Sequence, residues 1–257
     1  LTCKDFGIKP IIGCEVYVAP RTIADRVHGV DNDARHLVLL CENETGYRNL
    51  SYLVSMGFLQ GFYGKPRVDL ALLRQHSEGL IALSACLAGE IPRRLRAGDY
   101  DGAKAYALEL SGIFGPEHFY LELQDHGIPE QREVNRGLLR IAQETGLPLV
   151  ATNDAHYLTR EDSELQDVLL CIQTGKTLDD PNRMRFETQE FYLKSEDEMR
   201  ALFPALPEAL ENTQRIADRC KVEFEFNHYH LPAFTPPDGS NSLTYFRRMC
   251  DEGFRER

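Results

Sequence analysis

A repeated unit constrains this chain more than any other feature: a short apolar run, a polar turn at its end, then an amphipathic stretch. The runs are Gly79–Ser84, Phe119–Gln124 and Leu149–Thr152; they pass into Ala85-Cys86, Asp125-His126-Gly127 and Asn153-Asp154. Helical patterns follow each. They cover roughly 88–97 and 101–114 after the first run, Pro129–Thr145 with Gly146 as C-cap after the second, and Arg160–Gln173 after the third. In the last of these Leu165, Val168, Leu169 and Ile172 share one face. The alternation predicts a parallel α/β architecture, barrel or doubly wound.

The flanks depart from that unit. Lys9–Ala19 is a β-branched run containing Gly13 and predicts a strand buried on both faces. Polar Pro20–Arg35 shows no helical period and reads as a loop, and His36–Cys41 reads as a second strand. With no helix between them the two strands form an antiparallel excursion, which sets His36 level with Glu15 or beyond it. Thr45-Gly46-Tyr47 opens a helix carrying Leu50, Leu53, Val54 and Phe58, and Asp69 caps a short one through Arg74. After Thr174 come helices Ser195–Phe203 and Pro207–Arg219 and a strand Val222–Phe226. The Pro-rich stretch Leu231–Gly239 reads as a linker, giving a domain over 1–230 and a separate start over 231–257. Leu1–Gly7 reads as the last turn of a helix and Asp251–Arg257 stops inside a helical pattern, so both ends read as those of a piece of a longer chain.

Bulk properties exclude several classes. Hydrophobic residues make up 42% of the 257, enough for a sizeable core, yet no apolar run approaches the roughly 20 residues that span a bilayer. The charged opening residues are not a signal peptide. Seven scattered cysteines without a CxxC suit a reducing cytoplasm. A net charge of −11 argues against gripping a phosphate backbone by bulk electrostatics, and the basic clusters Arg93–Arg96 and Arg183–Arg185 are short and read as solvated. P-loop, GxGxxG and GxSxG motifs are missing.

In parallel α/β folds, chemistry gathers at the carboxyl ends of strands. Cys86, His126, Asp154 and His156 stand at such ends, joined by Glu15, a carboxylate in an otherwise apolar strand, and by His36. In extended backbone Asp154 and His156, two residues apart, point to one side and offer half of a metal site or an acid/base pair. Acid, imidazole and thiol together are candidate ligands for zinc or a similar metal. Each has an ordinary reading as well: Cys86 as a small core residue, His36 as a satisfied strand histidine, Asp154 as a turn cap. His126 before Gly127 reads as a turn residue and stays outside the ligand set, and His228-Tyr229-His230, beside the linker, reads as structural.

Several stretches carry a resemblance: Lys9–Tyr17, His36–Leu40 with Thr45–Leu50, Gly79–Leu87, Ala151–Tyr157 and Thr177–Pro181. Together they resemble the PHP (polymerase and histidinol phosphatase) domain of bacterial replicative DNA polymerase III alpha subunits, over nearly the whole chain. The resemblance implies a distorted (β/α)7 barrel, incomplete at its N-terminus, with a trinuclear metal site at one mouth. Glu15, His36, Cys86, Asp154 and His156 match ligand positions of that family, and Asp154 and His156 are the residues expected to serve catalysis. The implied cations are divalent, zinc first, with manganese or magnesium as alternatives. An HxH pair and an Asp-His-Gly turn lie upstream in the family, and its polymerase carboxylates lie downstream. The implied activity is a metal-dependent 3′–5′ exonuclease in the intact polymerase. The implied partners are DNA, a sliding clamp and a separate proofreading subunit, in the cytoplasm and without a membrane. Two alternatives stand beside it: a metal-free scaffold for polymerase and proofreading subunit, and a stand-alone phosphoesterase acting on a small phosphate ester.

Overall fold

The computed structural model describes residues 2–229 and 231–257. Leu1, in the opening turn, and His230, in the HxH, lie outside the described residues. A large compact unit ends at Val222 and a small one covers Glu223–Arg257. In the large unit α1 (Thr2–Asp5) precedes β1 (Gly13–Val18) and β2 (Arg35–Cys41). Then come α2 (Glu44–Leu59), β3 (Arg67–Val68), α3 (Leu70–Gln75), β4 (Leu80–Leu83), α4 (Glu90–Arg96) and α5 (Tyr100–Phe114). β5 (Phe119–Leu123), α6 (Pro129–Thr145), β6 (Leu149–Ala151), α7 (Ser163–Thr174), α8 (Glu196–Leu202) and α9 (Pro207–Arg219) complete it. The small unit holds α10 (Ser242–Glu256), where Arg248 pairs with Asp238 at 2.7 Å.

The six strands form one mixed sheet in the order β3-β1-β2-β4-β5-β6, which does not close on itself among the described residues. β2 is antiparallel to both neighbours and the other pairs are parallel. The start of β2 therefore lies at the carboxyl ends of β1 and β4, and His36 faces Tyr17 in register. One face of the sheet carries the main core, with Leu39, Leu53, Leu80, Phe119, Leu121, Leu123 and Leu138. On the other face Ile81, Leu83, Tyr120 and Val150 meet Ile216 and Cys220. No helix among the described residues is long and apolar enough to cross a membrane.

The helix ends follow local chemistry. Asn43 and Asp69 cap α2 and α3, accepting from Gly46 and Leu72 N–H, and Gly146 closes α6 in the left-handed region at φ 74°. The loop over 20–35 is irregular but pinned. Buried Arg67 donates to the carbonyl of Gly61 and to three carbonyls of the loop, those of Asp31, Ile23 and Asp25, so one guanidinium ties the loop to the body of the fold.

Two expectations are corrected, and one apolar helix face is found uncovered. The strand predicted over Lys9–Ala19 begins only at Gly13, and one face alone meets the core: Val16 and Val18 are buried, Glu15 is exposed. The α7 stripe is not covered among the described residues: Leu165, Leu169 and Ile172 are 64%, 58% and 73% exposed, and the helix buries Leu170 and Cys171 instead. Periodicity locates an apolar face but not what it meets. No strand forms over Val222–Phe226; Lys221 N–H reaches Glu42 O at 2.7 Å and the ladder stops there.

Candidate metal centre

Because β2 runs antiparallel to β4, its first residues meet the polar turn that follows β4. His36 N–H donates to Ala88 O, and the turn is drawn tight by Gly89 N–H on Cys86 O at 2.8 Å. Ala85, just before Cys86, lies in the left-handed region at φ 64°, unusual for a residue with a Cβ. The outcome is a meeting of three side chains. His36 Nδ1 is 3.0 Å from Glu15 Oε1 and 3.5 Å from Cys86 Sγ. Among the described residues Glu15, His36 and Cys86 are the one group of three acid, imidazole or thiol side chains whose ligand atoms all lie within 4.8 Å. The bonds to Cys86 and then Glu15 hold the His36 imidazolium far above its usual range, at about 10. A proton there occupies the place a cation could take, and a carboxylate oxygen, ring nitrogen and thiol sulfur form a donor set that fits zinc.

Asp154 and His156 lie outside that group. The strand ends at Ala151, and Asp154 sits at φ 45°, so the two-residue alternation assumed for an extended run does not hold. His156 Nδ1 lies 2.9 Å from its neighbour's backbone, Asp154 O, and 3.9 Å from Asp154 Oδ1. Its ring packs against Phe186 and Phe191 at 4.7 and 5.5 Å. His126 is buried, stacked on Phe191, with Nε2 2.6 Å from Asn153 O and Nδ1 2.8 Å from Gln131 Nε2. It is a satisfied core histidine, and burial pushes its pKa down.

Sequence reasoning passed over Glu122, on β5 between Cys86 and Asp154. It is buried, and its Oε2 accepts from Ala85 N–H at 2.8 Å while Oε1 accepts the Thr152 hydroxyl. Burial pushes its carboxyl up to about 7, with the Asp154 charge adding to the rise. The signal was available: an acid alternating into a run, Phe119–Leu123, that is otherwise apolar or aromatic. A cavity of about 770 Å³ shares Thr152 and Asn153 with the β6 end but is not lined by the three-residue group. Its Arg200 and Arg215 are already paired with Glu196 and Glu211, so it is not the better candidate.

An open, mostly parallel sheet with acid, imidazole and thiol gathered at its carboxyl edge is the arrangement expected of one class. Residues 1–126 match the family described as the PHP domain, a span that takes in Glu15, His36, Cys86 and Glu122. Along nearly all its length it is similar to DNA polymerase III subunit alpha. It is 47% identical over 257 residues to that of Treponema pallidum (strain Nichols) and 44% over 259 residues to that of Thermus aquaticus. Identity to that of Campylobacter jejuni is 37% over 287 residues. These alignments cover 99%, 98% and 100% of this chain but 22%, 21% and 23% of the relatives, so the chain spans about a fifth of their length.

Proposed function

We propose that this chain is the PHP portion of a bacterial replicative DNA polymerase and that, in the intact protein, its carboxyl edge supports a metal-dependent 3′–5′ exonuclease that trims primer ends. The observation that carries the reading is the convergence of Glu15, His36 and Cys86 within 4.8 Å. These three would hold a cation, with Asp154 and His156 as further ligands from the turn after β6. A divalent cation bound there supplies Lewis acidity toward a phosphodiester and a water acidified toward neutrality. Glu15 orients the His36 ring through Nδ1, and the Ser84–Gly89 turn presents Cys86 to it. Half-buried Asp154 offers its carboxylate next to the site that would receive the terminal phosphodiester. DNA, a sliding clamp and a proofreading subunit are the proposed partners, in the cytoplasm. The test is trimming of a mismatched primer by the full-length protein with Asp154→Asn. A loss of about tenfold or more is expected; undiminished metal-dependent trimming sinks the reading.

One observation favours a second reading, a metal-free scaffold for polymerase and proofreading subunit. His156 packs on Phe186 and Phe191, so two of the five expected ligands stand outside the three-residue group. Metal content of the purified full-length protein by emission spectrometry separates the two: stoichiometric zinc or manganese supports the hydrolase, none supports the scaffold.

A further inference from the structure

The geometry points to Glu122 as a positioning residue, the side chain that fixes the Cys86 turn and the Asp154 turn relative to each other. β5 lies between β4 and β6, and Glu122 reaches from it to both neighbours. On the β4 side, Oε2 accepts from Ala85 N–H at 2.8 Å, and Glu122 N–H donates to Ser84 Oγ at 2.8 Å. On the β6 side, Oε1 accepts the Thr152 hydroxyl, and Gln124 Nε2 lies 3.3 Å from both Glu122 Oε1 and Thr152 Oγ1. Ala85 directly precedes Cys86, and Thr152 stands two residues before Asp154.

Both turns are held in costly conformations. Ala85 at φ 64° and Asp154 at φ 45° are two of three non-glycine residues at positive φ among the described residues. Such residues persist where their surroundings over-determine them. Ala85 is 2% exposed, so without an acceptor its N–H would be buried and unpaired. The chemistry of the bridge also explains an acid at this position. A carboxylate presents two acceptor oxygens and no donor, which matches the peptide N–H, hydroxyl and amide that converge on it. A core with no site to position would be cheaper with an apolar residue here, like Leu121 and Leu123 on either side, because burying a carboxylate carries a desolvation penalty.

This role rests on the proposed metal site, and the experiment separates the two. Full-length protein with Glu122→Asp, one methylene too short to bridge, is compared with Glu122→Gln, which keeps the reach and one acceptor. Zinc affinity is read by competition with a chromogenic chelator. In the metal-stripped protein, the rate of Cys86 alkylation by iodoacetamide is followed by peptide mapping, beside melting temperature. Glu122→Asp is expected to weaken zinc binding about 10–100-fold and to change Cys86 alkylation severalfold, while Glu122→Gln restores both toward wild type at a similar melting temperature. If Glu122→Asp leaves affinity and alkylation unchanged, the role is overturned. If both variants fail to fold, Glu122 is a residue of the fold and the role is likewise overturned. Wild type that takes up no zinc defeats the metal reading alone, and the alkylation rates still decide the role of Glu122.

Discussion

A carboxylate on a strand whose residues, Phe119 to Leu123, are all buried loses most of its hydration, and Glu122 rises to about 7 in consequence. The sign follows from linkage. Below its usual value of 4.5 the group is protonated in folded and unfolded chains alike and contributes nothing. As pH rises from 4.5 to 7 the unfolded chain releases the proton and the folded one keeps it, so stability falls. Above pH 7 the fall is complete, about 3 kcal/mol. Glu122→Gln lacks this titration. Urea unfolding with a metal chelator present should show the variant gaining on wild type by about 2 to 3 kcal/mol between pH 5 and pH 8; a pH-independent difference means that the acid is ionised in the fold throughout. His126 is the opposite case, a neutral imidazole fully bonded inside the protein, and its replacement should disturb packing against Phe191 before any chemistry.

At the level of elements, close backbone contacts decide signs that propensity alone would misjudge. Gly46, in the first turn of α2, lies against Gly79: a Cβ built on Gly46 would stand 1.8 Å from Gly79 O, which already accepts Glu42 N–H at 2.9 Å. Alanine is the better helix former by about 1 kcal/mol, yet Gly46→Ala should destabilise by about 1 to 3 kcal/mol because backbone must move. Gly112 in α5 meets nothing within 4 Å, so Gly112→Ala should stabilise by up to about 1 kcal/mol. Denaturation midpoints of the pair check this, and a stabilised Gly46→Ala would show that the contact relaxes freely. The same contrast marks what could be read from sequence. The α6 limits, the Asp69 cap and the antiparallel β1–β2 pair were legible because each depends on residues near in sequence. The resemblance named five expected ligand positions, but not that the left-handed turn at Asp154 leaves His156 on Phe186 and Phe191. Nor could spacing show Arg67 as the clamp of a loop more than thirty residues upstream, because that bond network exists only in the folded chain.

On the scale of the whole molecule, the proposed function raises the question of how an acidic chain would meet an acidic polymer. Forty acidic side chains face 29 basic ones. Several arginines are already paired with acids: Arg93 holds Asp33 at 2.7 Å, Arg94 holds Glu90 at 2.7 Å and Arg160 holds Glu190 at 2.7 Å. At the carboxyl edge the Glu15 carboxylate is paired with the His36 imidazolium and Asp154 adds a further acid, so the edge offers phosphate no surplus of positive charge unless cations supply it. Bulk attraction, which supplies most non-specific DNA binding, is therefore missing from this chain. Fluorescence anisotropy of the 257-residue chain with a labelled single-stranded primer, in chelator at physiological salt, should give a Kd weaker than about 10⁻⁴ M. It should also lack the steep loss with added salt that counterion release produces, because few phosphates are neutralised. Micromolar binding that collapses as salt rises would place a usable cationic surface on this chain and would remove the need for metal ions to bring DNA to the Glu15, His36 and Cys86 edge.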